Sequence, residues 1–180
     1  YLVRPPVALC AAGGRGGWGA HGREGARELL DVPVIDITEA AAHLACLLGR
    51  RYGVVTTLDR ACGLIEDSLH TAGVAAHCVG VVGSGLGVLE LADEVRTASA
   101  LTTAARRVRD RGAEVVVLGC AGMTGLDRRI SAALDIPVID GVAAAVRLAE
   151  SLVSLGLKTS RVSYPKPLPK SRRWGPSTTD

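Results

Sequence analysis

Short runs of apolar, β-branched residues alternate along this chain with longer stretches whose apolar positions recur at helical spacing. The short runs favour buried strands and the longer stretches favour amphipathic helices. Such alternation is typical of βαβ units, whose strands are parallel, so we expect an α/β fold with open parallel sheets flanked by helices. The predicted strands are 32–37, 52–56, 75–82, 114–118 and 136–139, and the predicted helices are 24–30, 39–48, 60–71, 91–111, 126–134 and 142–155.

Several predicted boundaries have a chemical reason. Asp59 stands where its carboxylate could cap the helix that follows. Gly73, Gly112 and Gly156 stand where helices end, and glycine accepts the left-handed turn that closes a helix. These residues support the division of the chain into separate strands and helices.

Two segments do not follow the alternating pattern. Residues 10–25 hold seven glycines in sixteen positions without a period, which predicts an irregular loop. Residues 160–180 hold four prolines and a basic run, which predicts an extended, solvated tail. From residue 158 onwards there are six Lys or Arg and one acid, so the rest of the chain, with 15 bases and 17 acids, is nearly neutral. We therefore expect no nucleic-acid partner.

Composition narrows the class of protein further. Apolar residues make up 48% of the chain but Phe is absent, so Val, Leu, Ile and Ala must build the core, as suits parallel strands under helices. The five cysteines are odd in number and form no CxxC pair, which argues against a zinc ribbon or a disulfide framework. No apolar run is long enough to span a membrane. We expect a cytoplasmic protein with no membrane partner.

The stretch VVVLGCAGMTGL, residues 115–126, contains the most reactive candidate. Cys120 follows a predicted strand and precedes a helix, and ligands of open α/β sheets gather beyond the carboxyl ends of strands. Free N–H groups there favour thiolate and lower the pKa of the thiol, while Gly119 and Gly122 leave room for a substrate. The alternative is a small, buried, inert side chain.

Thr56 and Thr57 form a second candidate site at the end of another predicted strand. Their hydroxyls could bind a carboxylate or an imide carbonyl, or could only cap the next helix.

The remaining cysteines are weaker candidates. Cys46 follows His43 by three residues, but a metal ion needs three or four ligands and no further pair of ligands converges with them, so we predict no metal site. Cys62 and Cys78 are expected to pack.

A glycine-rich segment, residues 83–87, also follows a predicted strand. Its spacing is GxGxG, not the GxGxxG of dinucleotide-binding proteins, and no acidic residue stands on a following strand at the required distance. Nucleotide binding is therefore a weaker alternative for this chain.

Several segments together resemble the hydantoin racemases of the aspartate/glutamate racemase superfamily. They are VVVLGCAGMTGL joined to IPVIDGVAAAVRLAESLVSLGL, YGVVTTLDR, ARELLDVPVI, and the closing LKTSR with its Tyr-Pro tail. The resemblance implies two pseudo-symmetric lobes with one active site between them, a small-molecule substrate, and no metal or organic cofactor; a homo-oligomer is possible. It divides the chain into residues 1–50 as the remainder of an incomplete first lobe, 51–140 as the second lobe, 141–159 as a helix packing back on the first lobe, and 160–180 as tail.

The activity that the resemblance implies is racemisation of 5-substituted hydantoins or related cyclic amides such as allantoin. In that family two cysteines face the ring carbon from opposite sides, one removing a proton and the other returning one. Cys120 corresponds to the second-lobe cysteine, and the positions that hold the polar edges of the ring correspond to Thr56, Thr57, Gly119, Ala121 and Gly122. Such chemistry also needs N–H or hydroxyl donors aimed at the oxygen of an enolate-like intermediate.

The chain departs from the family at the first-lobe cysteine. Relatives carry it in a motif like ACFGDPGL, and at the same distance from Pro33 this chain has Gly17. The nearest thiol is Cys10, inside the glycine-rich segment. Either Cys10 reaches the site, or the chain is a catalytically impaired or inactive remnant with a racemase fold. Because relatives also carry further residues in front, we expect this chain to be a fragment.

Overall fold

Strands and helices alternate throughout the part of the chain that the computed structural model describes, residues 8–10 and 22–168. The strands are β1 Ala8–Cys10, β2 Val34–Asp36, β3 Tyr52–Thr56, β4 Cys78–Gly83, β5 Val115–Leu118 and β6 Val138–Asp140. The helices are α1 Arg23–Leu29, α2 Ile37–Leu48, α3 Cys62–Thr71, α4 Glu94–Asp110, α5 Asp127–Leu134 and α6 Gly141–Ser154. No helix among these residues is long and apolar enough to cross a membrane.

All strand pairs are parallel, as predicted. One sheet has the order β4-β3-β5-β6, and β1 and β2 form a separate two-stranded sheet. Strand β1 was not predicted, because its last residue, Cys10, was assigned to the glycine-rich loop. Residues 11–21 of that predicted loop lie outside the described residues, and its last three residues, 23–25, belong to α1 instead.

Helices cover both faces of the four-stranded sheet. On one face a Cβ added to Gly53 of β3 would lie 2.4 Å from Cβ of Val108 in α4, so only glycine allows this helix to approach. On the other face the space beside Gly119 is closed by Ile65 of α3 and Val54. The two central strands, β3 and β5, are fully buried, which accounts for their apolar runs.

A short internal repeat relates the two sheets. The pattern Asp-(Val or Ile)-Pro-Val-Ile-Asp occurs at residues 31–36 and again at 135–140, each time as a strand that leads directly into a helix. The helices are exchanged: α2 follows the first-lobe strand β2 but packs on β5, and α6 follows β6 but packs on β1 and β2. The two lobes are thereby interlocked through α2 and α6, which also contact each other.

The repeat identifies two helix caps that sequence reasoning missed. Asp36 accepts the backbone N–H groups of Thr38 and Glu39, and Asp140 accepts those of Val142 and Ala143. The strands therefore end at Asp and the helices start earlier than predicted.

The predicted cap at Asp59 is wrong. Its carboxylate accepts the backbone N–H of Gly83, at 3.1 Å, and so ties the start of the α3 segment to the end of β4. The helix-ending glycines are confirmed, because Gly73, Gly112 and Gly156 all have positive φ.

The C-terminal segment also differs from the prediction of a solvated tail. Residues 160–164 form a turn, closed by the Tyr164 N–H to the Ser160 carbonyl, and neighbouring side chains bind the first lobe. The part of the tail after residue 168 lies outside the described residues.

Candidate active site

The candidate site lies at the carboxyl ends of β3, β4 and β5. In the sheet register Thr56 pairs with Gly83, and Val55 pairs with Leu118. Because these strands are parallel and adjacent, the residues that follow them, including Thr57 and Cys120, share one edge of the sheet. This edge is where ligands bind in open α/β folds.

Cys120 follows β5 in an extended conformation and precedes a single 3₁₀ turn, Ala121–Met123. Its side chain is buried, with 6% of its surface exposed. Burial raises the pKa of the thiol to about 11, although a hydrogen bond from the Gly122 N–H acts in the opposite direction. The predicted lowering of the pKa by a helix end is therefore wrong for the unliganded protein, because one 3₁₀ turn offers too little compensation for desolvation.

The glycines beside Cys120 have different roles. The Gly119 N–H donates to the Val55 carbonyl at 2.9 Å, so it belongs to the sheet and is not free for a ligand. Gly122 is exposed, and a Cβ there would lie 3.6 Å from the Cys120 sulfur and 2.7 Å from Leu91 Cδ1. Glycine at 122 thus allows the Leu91 side chain to pack close to the thiol.

The two threonines lie where the sequence predicted, at the end of β3, and both are buried. Their carbonyls accept the N–H groups of Ser84 and Gly85. The Thr56 hydroxyl is fully buried and finds no hydrogen-bond partner among the described residues. An unpaired buried hydroxyl is costly, which makes Thr56 a candidate donor or acceptor for a bound molecule.

The glycine-rich segment after β4 is closed onto the protein. The Gly83 N–H binds the Asp59 carboxylate, the Ser84 and Gly85 N–H groups bind the end of β3, and the Gly87 N–H binds the Glu90 carboxylate at 2.8 Å. A phosphate-binding loop needs such N–H groups turned toward its ligand. This arrangement argues against the nucleotide-binding alternative.

Asp140 forms the neighbouring part of the edge. Besides capping α6, its carboxylate accepts the Gly125 N–H at 3.0 Å and the Thr124 hydroxyl at 3.5 Å. It therefore fixes the loop that carries Cys120 against the start of α6. The Asp-Gly-Val-Ala sequence after an apolar strand was the signal that could have identified this residue.

Cys10 ends β1 and pairs in register with Asp36, while Leu118 of β5 pairs with the equivalent Asp140. By this register Cys10 corresponds to Leu118 and not to Cys120, which lies two residues further on. Only the backbone of Cys10 is described, so its contribution to the site stays a prediction.

The other described cysteines do not join the site as ligands. Cys46, Cys62 and Cys78 are half-buried and pack against the core, and burial raises the pKa of each thiol. Within residues 8–10 and 22–168, no group of three or more His, Cys, Asp or Glu side chains is arranged to hold a metal ion.

Comparison with known proteins gives consistent matches. Residues 18–149 match the family described as Asp/Glu/Hydantoin racemase. A hydantoin racemase from Rhizobium meliloti is 41% identical over 150 residues, which are 81% of this chain and 62% of that protein. The chain thus spans less than two thirds of this relative's length.

Solved structures match over nearly the whole chain. The crystal structure of an allantoin racemase from Pseudomonas fluorescens has a TM-score of 0.87 and 49% identity, over 97% of this chain and 73% of that one. An allantoin racemase from Klebsiella pneumoniae has a TM-score of 0.81 and 35% identity, over 93% of this chain and 68% of that one. The chain belongs to the Asp/Glu/hydantoin racemase family.

Proposed function

We propose that this chain carries an isomerase site that racemises 5-substituted hydantoins or related cyclic amides such as allantoin. The observation that carries the proposal is the buried Cys120 thiol just after β5, with the unpaired Thr56 hydroxyl at the carboxyl end of the neighbouring strand β3. The substrate class is suggested by the names of the relatives, hydantoin racemase and allantoin racemase.

The chemistry requires moving a proton at a carbon next to a carbonyl. In the unliganded protein the Cys120 thiol is protonated at neutral pH, since its pKa is about 11. It is therefore ready to act as the acid that delivers a proton to the ring carbon. The resulting thiolate is a strong base, so the same residue serves the reverse direction once its proton has been given up.

The polar edges of a hydantoin-type ring need partners at the same edge of the sheet. The Thr56 hydroxyl supplies one that the described residues do not use. Thr57, Ala121 and Gly122 are proposed as further contacts. Gly119 is left with no direct contact to the ring, because the sheet uses its N–H and the Val54 and Ile65 side chains fill the space beside it.

Racemisation needs a second proton-transfer group on the other face of the ring. Cys10 is the first-lobe candidate, but its strand register places its backbone two residues short of the position equivalent to Cys120. This observation favours a second possibility, in which the chain exchanges a proton on one face of the ring only and is impaired as a racemase.

Deuterium exchange with enantiopure substrate distinguishes these possibilities. Each enantiomer of a 5-alkylhydantoin is incubated in D₂O, and both the C5 deuterium content and the optical rotation are followed without ring opening. A complete racemase loses rotation from either enantiomer, and a half-active enzyme incorporates deuterium into one enantiomer with rotation retained.

Cysteine variants assign the exchange to a residue. Cys120→Ser is expected to reduce exchange by about 10²- to 10⁴-fold, the usual worth of a general acid or base. Cys46→Ser, on a half-buried thiol of α2, serves as the matched control and should retain exchange. If neither enantiomer exchanges, with this chain and with the protein extended upstream by its genomic sequence, the proposal is wrong.

A further inference from the structure

The LKTSR sequence and the Tyr-Pro that follows it have no part in the proposed site. They lie just after α6, in a segment that crosses from the end of this helix to the first lobe. There the Thr159 hydroxyl donates to the Val32 carbonyl at 2.8 Å, immediately before β2. The segment therefore contacts the loop that joins α1 to β2.

Arg161 makes more side-chain hydrogen bonds than any other described residue of this segment. Its guanidinium donates to the carbonyls of Arg27 and Glu28, at 3.1 and 2.8 Å, and to that of Leu30. It also pairs with the Asp31 carboxylate at 2.6 Å. The last carbonyls of a helix have no hydrogen-bond partner within the helix. Arg161 binds those of α1 and so caps this helix, although it lies more than 130 residues further along the chain.

The equivalent end in the second lobe needs no such partner. Helix α5 is followed by Asp135, which takes a left-handed conformation with φ of 56°, and the Ser131 hydroxyl donates to the Ile136 carbonyl at 2.8 Å. Local residues thus complete the end of α5, whereas a distant segment completes that of α1. The same Asp of the internal repeat, Asp31, is used in the first lobe to hold Arg161 and Lys166.

A second contact leads from this segment toward the edge of the first-lobe sheet. The Tyr164 hydroxyl accepts a hydrogen bond from Arg27 at 3.4 Å, and the Arg27 guanidinium lies 5.6 Å from the centre of the Tyr164 ring. Arg27 also donates to the Val34 carbonyl at 3.1 Å and to the Glu39 carboxylate at 2.8 Å. Tyr164 is thereby connected to the start of β2 and to the first turn of α2.

We propose that residues 157–166 form a C-terminal clasp that holds the α1–β2 unit in place and thereby positions β2 beside β1, the strand that ends at the candidate Cys10. Arg161 and Tyr164 are positioning residues, acting through α1 and Arg27. The effect on activity rests on the proposed function, but the effect on α1 does not.

Hydrogen exchange of backbone amides tests the clasp without any substrate. In Arg161→Gln, amides of residues 23–30 should exchange about tenfold faster, because several charge-assisted hydrogen bonds to the helix end are lost. Amides of 127–134 in the second lobe should be unchanged. Arg147→Gln is the matched control, since Arg147 is 80% exposed and pairs only with Glu150 among the described acids.

Unchanged exchange in residues 23–30, or equal acceleration in both lobes, would overturn the clasp. If Arg161→Gln does not fold, Thr159→Val and Tyr164→Phe remove one hydroxyl each and test the same segment. Tyr164→Phe keeps the ring over Arg27 and removes only its hydroxyl contact.

The positioning role has its own readout in the deuterium experiment. Tyr164→Phe should slow exchange of the enantiomer whose proton faces the first lobe, by about tenfold, and leave exchange on the Cys120 face nearly unchanged. An equal loss on both faces would show a general structural effect and refute the positioning role. If the wild-type chain exchanges only the enantiomer whose proton faces Cys120, the positioning role is wrong; if it exchanges neither, the proposed function fails as well. In both cases the hydrogen-exchange result still decides the clasp.

Discussion

The pH dependence of alkylation at Cys120 should show how far burial raises the pKa of this thiol. Burial shifts its pKa from an ordinary value of 9.0 to about 11, which corresponds to roughly 3 kcal/mol of preference for the neutral form. At pH 8 only about 0.1% of the thiol is then ionised, against about 10% for an exposed cysteine of ordinary pKa. Alkylation by iodoacetamide, which consumes thiolate, should be slow and should rise about tenfold per pH unit up to pH 10.

Residue-resolved mass spectrometry of the alkylated protein measures this rate, with circular dichroism at each pH to show that the chain remains folded. A short peptide containing residues 115–126 supplies the reference and should level off near pH 9. If Cys120 in the folded protein levels off at or below pH 9, the argument from burial is refuted.

The same pKa has a consequence for stability. The unfolded chain releases the Cys120 proton near pH 9 and the folded chain only near pH 11, so the contribution is fully present below pH 9 and is lost as the pH rises toward 11. Substitution by alanine should therefore lessen the loss of stability over this range in urea unfolding. An unchanged pH dependence would contradict the assignment.

Three further substitutions follow from the geometry. Gly53→Ala should cost about 1–3 kcal/mol in urea unfolding, because its Cβ would lie 2.4 Å from that of Val108, and adding Val108→Ala should recover part of the loss; strict additivity would contradict this. Asp140→Ala should cost about 2 kcal/mol and lower Tm, since four hydrogen bonds are lost; an unchanged Tm would refute its role. Thr56→Val should leave stability equal or raise it by about 1 kcal/mol while raising KM, and a large destabilisation would mean that the hydroxyl is paired after all.

Much of the second-lobe architecture could be predicted because its central strands, β3 and β5, are buried on both faces. Strand β3 matches the prediction at both ends, Tyr52 and Thr56, since a continuous apolar run bounded by polar residues has few alternatives. The boundaries at Asp36 and Asp140 were missed because strand and helix meet there without a loop. The internal repeat contained the information, but only comparison of the two segments reveals it.

The sequence predicted the position of the candidate site correctly, but it predicted the wrong direction for the pKa shift of Cys120. Sequence alone placed Cys120 and Thr56 at strand ends, which the sheet register confirms. It could not show that the turn after Cys120 is only three residues long, or that Leu91 closes over Gly122. These long-range contacts decide the burial of the thiol, and therefore the direction of its pKa shift.

The exchange of α2 and α6 between the sheets affects the order in which the chain can fold during synthesis. A two-stranded sheet such as β1–β2 is barely stable by itself, and the helix that covers it, α6, leaves the ribosome after all six described strands have been made. The four-stranded sheet, by contrast, has α2 available before its own first strand emerges. Among the described elements, the β1–β2 sheet is therefore made first but covered last, so growing chains expose its apolar surface until α6 emerges.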